Sequence, residues 1–121
     1  MLGKRASELY RRGESCSACI LKAYEDVYGM RLPKDYYKIC PGINNGFGTG
    51  GMCSAAVAAV IVLAYRLRDE TMIKQARIYF LTAVNEKLKS TSCGRLKTDC
   101  RTAVFECGEI LEETIDKFEK E

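Results

Sequence analysis

An all-α bundle is the fold this sequence predicts, on three observations. Apolar residues recur at three- and four-residue spacing through most of the chain, Ser15 and Asp99 stand as caps ahead of such runs, and no segment alternates apolar and polar residues as a half-buried strand would. The expected architecture is antiparallel, with four main helices, short extra helices and a glycine-rich loop before a central apolar helix. A single domain over residues 1–121 follows, since 121 residues bury about two thirds of their unfolded surface in one core. No repeat or low-complexity segment interrupts it.

Each element has a local reason. Residues 4–12 (KRASELYRR) read as a short helix that Gly13 interrupts. Ser15 then caps a second helix to about residue 28, with Ile20, Ala23, Tyr24 and Val27 on one face and Gly29 after its end. An unbroken helix from Ser7 would instead put Cys16 and Cys19 in mid-helix on the apolar side, and the break at Gly13 is the favoured reading. Pro33 suits the first turn of a short helix carrying Tyr36, Tyr37 and Ile39, which Pro41 and Gly42 are expected to stop.

The loop GFGTGG, residues 46–51, leads into a helix over about 52–68 that is apolar on nearly every face and therefore central. Its alanines, Ala55, Ala56, Ala58, Ala59 and Ala64, allow close approach by neighbouring helices. Residues 70–89 are amphipathic through Ile73, Ala76, Phe80, Ala83 and Leu88. After the connection STSCGRLKT, Asp99 caps a last helix with Val104, Gly108, Leu111, Ile115 and Phe118 on one face.

Composition excludes several function classes. A net charge of +3 without a long basic block gives too weak a field to argue for nucleic acid or an acidic partner. The charged N-terminus MLGKRASELYRRGES has no apolar core of a secretory signal, and the longest apolar run, residues 55–65, is half of the about twenty residues a membrane span needs. A cytoplasmic protein without membrane insertion is expected. Gly46, Gly48 and Gly51 spell GxGxxG and nearly open a P-loop. Nucleotide binding is nonetheless not expected: Met52 and Cys53 stand where a P-loop needs Lys and Ser or Thr, and DYYKICPGINN before the loop is no strand.

Cysteine is the informative residue. There are seven, Cys16, Cys19, Cys40, Cys53, Cys93, Cys100 and Cys107, and no histidine at all. In a reducing compartment such a set points to redox or metal chemistry rather than permanent disulfides, and the missing histidine excludes Cys-His catalysis and His-ligated metals. Cys16, Cys53 and Cys100 each fall at or near a helix start, where first-turn amides and the helix dipole favour an anion. A thiol there is expected to ionise at about 3.5 to 7.5 instead of about 8.5. For Cys53 the amides of Gly48, Gly50 and Gly51 are expected to surround the sulfur as they would a phosphate.

Cys16 and Cys19 form a CxxC pair, with Cys19 a possible resolving partner one turn on, although the βαβ pattern of thioredoxin-like folds is absent. Cys40 and Cys107 read as small buried apolar residues. Cys93, between Ser92 and Gly94, is placed either to pair with Cys100 or to complete a four-thiolate site.

Taken in order, GESCSACILKAYEDVYG, the turn GFGTGG, the segment CSAAVA at residues 53–58, and Cys93 and Cys100 give a sequence that resembles the redox-active protein family named for a C…GCAxxG…C…C pattern. Ser54 and Ala58 stand where that pattern has glycines, and Cys19, Cys40 and Cys107 are additional to it. The resemblance implies a small helical cytosolic protein, redox-active through Cys16, Cys53, Cys93 and Cys100, serving a partner such as a transporter or oxidoreductase system. It implies no substrate.

The leading expectation is dithiol/disulfide cycling between Cys16 and Cys53, with Cys93 and Cys100 resolving or relaying. One alternative is a zinc or iron-sulfur module held by Cys16 (or Cys19), Cys53, Cys93 and Cys100. Another is a helical interaction protein with inert buried cysteines.

Overall fold

The computed structural model describes residues 1–96 and 98–119, which fold as α1 (Leu2–Arg11), α2 (Cys16–Tyr28), α3 (Lys34–Lys38), α4 (Cys40–Asn45), α5 (Ser54–Leu67), α6 (Glu70–Leu88) and α7 (Cys100–Glu119). Among the described residues there is no strand; a single antiparallel bridge joins Met52 to Ser92.

Caps set the helix limits. Gly13 takes a left-handed φ of 97°, α1 stops before it, and Ser15 Oγ accepts the Ala18 amide at 3.4 Å to start α2 at Cys16. Gly29, also left-handed, closes α2. Asp69 caps α6 through the Met72 amide at 3.1 Å, and Asp99 Oδ1 accepts the Thr102 amide at 2.8 Å at the start of α7. One boundary differs from expectation: Pro41 and Gly42 do not end helical structure but lie inside α4. Proline is tolerated in a first turn because its missing N–H would have no intrahelical partner there.

α5 is the central helix and packs against α2, α6 and α7. Ala55, Ala56, Ala58 and Ala59 are fully buried, and Val62 and Leu63 complete its core surface. The predicted face of α7 is buried at every position, Val104, Gly108, Leu111, Ile115 and Phe118. On α6 the buried residues are Ala76, Phe80, Val84 and Leu88, so Val84 takes the place expected of Ala83.

The helix at the N-terminus, expected as a minor extra, packs along α7 and also against α2. It buries Leu2, Ala6 and Leu9, and burial of each leucine side chain contributes about 1.5–3 kcal/mol. Two glycines allow the close approach: a Cβ on Gly3 would lie 2.4 Å from Phe105 O, and one on Gly108 would lie 2.7 Å from Gly3 Cα. This crossing fixes the end of α1 beside the start of α7.

Candidate functional site

The glycine loop delivers Cys53 to the core. Residues 46–50 form one wide turn, with Asn45, Gly46, Phe47, Gly48 and Gly50 all left-handed. Gly46 is the position that requires glycine, since a Cβ there would lie 2.5 Å from the Gly51 nitrogen and 2.9 Å from Cys93 Cβ, at a φ of +61°. Gly51 N to Gly46 O at 2.8 Å closes the glycine loop, and two backbone bonds then join it to the Cys93 loop: Cys93 N to Gly51 O at 2.6 Å and Cys53 N to Thr91 O at 2.7 Å. Segments almost forty residues apart in sequence are held edge to edge.

Cys53 caps α5 instead of sitting in its first turn, and it is only 4% exposed. Its sulfur is pushed down to about 6, first by the thiol of Cys107, which faces it as hydrogen-bond donor, and then by the Ala56 and Ala55 amides; burial opposes them. The amides form no full capping hydrogen bond, so their dipoles act on the anion at longer range. The expected source of stabilisation is therefore corrected. The Gly51 amide is committed to Gly46 O, while Gly48 and Gly50 are exposed turn residues, and the donors at the sulfur come from α5 and α7.

The other two helix-start cysteines behave differently. Cys16 opens α2 behind its Ser15 cap, yet burial, followed by the nearby sulfurs of Cys100 and Cys53, pushes it up to about 12. A helix terminus favours a thiolate by a fraction of what desolvation costs it, so Cys16 is a thiol, with the Cys100 sulfur nearby. Cys100 is exposed at the first position of α7, and Tyr10 lies near its sulfur.

Cys93, half-buried in a single 3₁₀ turn (Cys93–Arg95), lies within electrostatic range of Cys53 and Cys100; burial pushes its thiol up, and the two sulfurs add to it. Cys107, read from sequence as inert core, is fully buried as expected but is the partner of Cys53, and this contact and burial hold its own proton on. No spacing rule links residues 53 and 107; the only sequence signal was its place on the buried face of the last helix beside Gly108. Two cysteines stand apart. Cys19 directs its thiol to Glu14 O at 3.5 Å, away from a pairing with Cys16, and Cys40 directs its thiol to Tyr36 O at 3.7 Å.

A cavity of about 450 Å³ opens over this group, lined among others by Tyr10, Ser15, Cys16, Asn44, Ser54 and Cys100. Cys16 and Cys100 line it, whereas the buried Cys53 does not. Among the described residues, no group of three or more Cys, Asp or Glu side chains is arranged to hold a metal ion. Nor is any helix long and apolar enough to cross a membrane.

Five thiols gathered where α2, α5 and α7 begin and cross, one of them favoured as thiolate, define a helical protein built for sulfur chemistry. The chain belongs to the family described as "Putative redox-active protein (C_GCAxxG_C_C)", whose model matches residues 14–121, from just after α1 onward. No curated protein and no solved structure matches the chain.

Proposed function

We propose that this redox protein works by thiol-disulfide exchange, with Cys16 and Cys53 as the dithiol that becomes a disulfide and Cys100 as the residue that meets the partner. The observation that carries this reading is the thiolate at Cys53, held down to about 6 beside the protonated Cys16, which in turn touches the exposed Cys100. The thiolate is the attacking form in such exchange, and a value near ambient pH is the most effective one.

The steps balance. Cys100, its proton released to solvent, attacks one sulfur of a partner disulfide, that S–S bond breaks, and the first partner sulfur leaves as thiolate. Cys16 attacks the Cys100 sulfur and expels the second partner sulfur, which takes the Cys16 proton. Cys53 thiolate then attacks Cys16, forming the Cys16–Cys53 bond and expelling Cys100 as a thiolate that regains its proton from solvent. The protein is oxidised by two electrons and the partner disulfide is reduced to two thiols; with a partner of the opposite potential the same steps run backward. Cys93, within electrostatic range of both Cys53 and Cys100, is positioned to resolve or relay.

The test is intact mass of protein purified without oxygen, before and after stoichiometric oxidation by a disulfide, with cysteine pairs mapped by digestion. A loss of two hydrogens assigned to Cys16–Cys53, absent in Cys53→Ser, is the expected result. A mass addition from zinc or an iron-sulfur cluster that disappears on denaturation would assign Cys16, Cys53, Cys93 and Cys100 to a cofactor instead. Seven thiols that resist oxidation until the chain unfolds would make it a helical interaction protein.

A further inference from the structure

The exposed thiol stands beside a basic stripe. Lys4, Ser7, Glu8, Arg11 and Arg12 lie at helical spacing along the outer side of α1 and at its end, and Lys4, Arg11 and Arg12 are exposed. Two contacts tie Cys100 to that helix: Tyr10 at its sulfur, and the next residue, Arg101, whose Nε donates to Ser7 Oγ at 3.0 Å. Arg101 is thereby added to the stripe.

The acidic residues near it are largely neutralised. Glu8 pairs with Arg5 at 3.5 Å and Glu14 is in an ion pair with Lys22, while Asp99, capping Thr102, keeps its charge and faces Arg101. Among the described residues, Lys4, Arg11 and Arg12 have no ion-pair partner. Five further acidic residues lie on the later turns of α7, Glu106, Glu109, Glu112, Glu113 and Asp116, and of these Glu109 and Glu112 hold the N-terminal end of α1, away from Cys100. Lys4, Arg11, Arg12 and Arg101 therefore outnumber the unpaired acid Asp99 on this side of the molecule, although the net charge of the chain is only +3.

We propose that the basic stripe of α1, with Arg101, is the docking surface for a redox partner protein whose reactive disulfide is framed by aspartate and glutamate side chains. This rests on the exchange reading above. An acidic partner surface would be drawn to the stripe, and its disulfide would arrive at Cys100, where attack breaks the partner S–S bond and releases one partner sulfur as thiolate. Surface charge of this kind acts on the rate of encounter and is screened by salt. A small disulfide entering the cavity would be indifferent to α1.

The probes are two disulfide-linked peptide dimers, one with two acidic residues on each side of its cysteine and one with lysines in their place, together with neutral 2,2′-dithiodipyridine. Each reacts with anaerobic, reduced, full-length protein, and the modified cysteine is identified by mass mapping. The acidic peptide is expected to react at Cys100 about tenfold or more faster than the basic one at low salt, and within about twofold of it at 0.5 M salt. In Arg11→Glu/Arg12→Glu the preference is lost or reversed, while the dithiodipyridine rate is unchanged.

Equal peptide rates at low salt, or a preference that survives the double substitution, would overturn the proposal. A dimer that forms at low salt and dissociates at high salt, measured by light scattering, would overturn it in favour of a second copy of this chain as occupant. Should the preference hold but no Cys16–Cys53 bond follow it, the docking surface stands and the relay reading fails.

Discussion

Cys107, in the second turn of α7, faces Cys53 at the cap of α5 and is the largest influence holding that sulfur as a thiolate. The pair titrates as a unit: one proton leaves at about 6, from Cys53, and Cys107 keeps the other well above the usual thiol range. A thiolate at one position and a buried donor at the other is a more polar arrangement than two apolar cysteines would make.

Removing the donor separates this arrangement from ordinary packing. Cys107→Ala is expected to move the ionisation of Cys53 from about 6 toward the ordinary 9.0, by more than about one pH unit, followed as thiolate absorbance at 240 nm against pH. Cys107→Ser keeps an O–H donor and should retain most of the lowering. Equal midpoints in both variants and the parent would assign the lowering to α5 alone.

Stability should follow the same group. Cys53 has its value lowered on folding, from 9.0 to about 6, so its contribution is fully present above pH 9 and is lost as pH falls through 6. Urea unfolding of the parent and Cys53→Ser under reducing conditions is expected to show a parent advantage at pH 9 that shrinks steadily toward pH 6. Cys16 and Cys19, both pushed up to about 12, act in the opposite sense and cost stability above pH 9. A difference that is flat between pH 6 and 9 would contradict the lowered value.

Gly46→Ala tests the loop. The added methyl would meet the Gly51 backbone and Cys93 at a left-handed φ, and backbone strain of this kind costs about 1–3 kcal/mol. Because the displaced atoms belong to the Cys93 loop, faster alkylation of Cys93 is expected along with the lower urea midpoint. Gly48→Ala, in open space at a similar φ, should lower stability less and leave Cys93 unchanged.

Gly108→Ala tests the helix crossing. Its Cβ would lie 2.7 Å from Gly3 Cα and 3.1 Å from a Leu2 methyl, and overpacking in such contacts costs about 1–3 kcal/mol. Since this crossing holds Tyr10 against Cys100, the variant is also expected to alter the alkylation rate of Cys100. A change in stability with no change at Cys100 would show that the crossing does not position the thiol.

The local rules were enough for the helices. Ser15 and Asp99 offer short acceptors to free first-turn amides, Gly13 and Gly29 take left-handed turns, apolar periodicity selects the buried faces of α2 and α7, and an all-round apolar surface makes α5 central. All of these act within one or two turns of chain, so they are legible from sequence alone. The same holds for the family pattern and for the presence of cysteines at three helix starts.

Only the tertiary structure decided which of those thiols ionises. Cys16, Cys53 and Cys100 share a local setting, but Cys16 is desolvated against two other sulfurs, Cys100 faces water, and Cys53 has the protonated Cys107 thiol beside it. Desolvation and charge act through space, between α5 and α7 and across a loop stitched by Cys53, Thr91, Gly51 and Cys93, and sequence separation carries no record of such distances. The importance of α1 was hidden for the same reason: its ten residues make a weak isolated helix, and its partners, Gly108 and Cys100, lie at the other end of the chain.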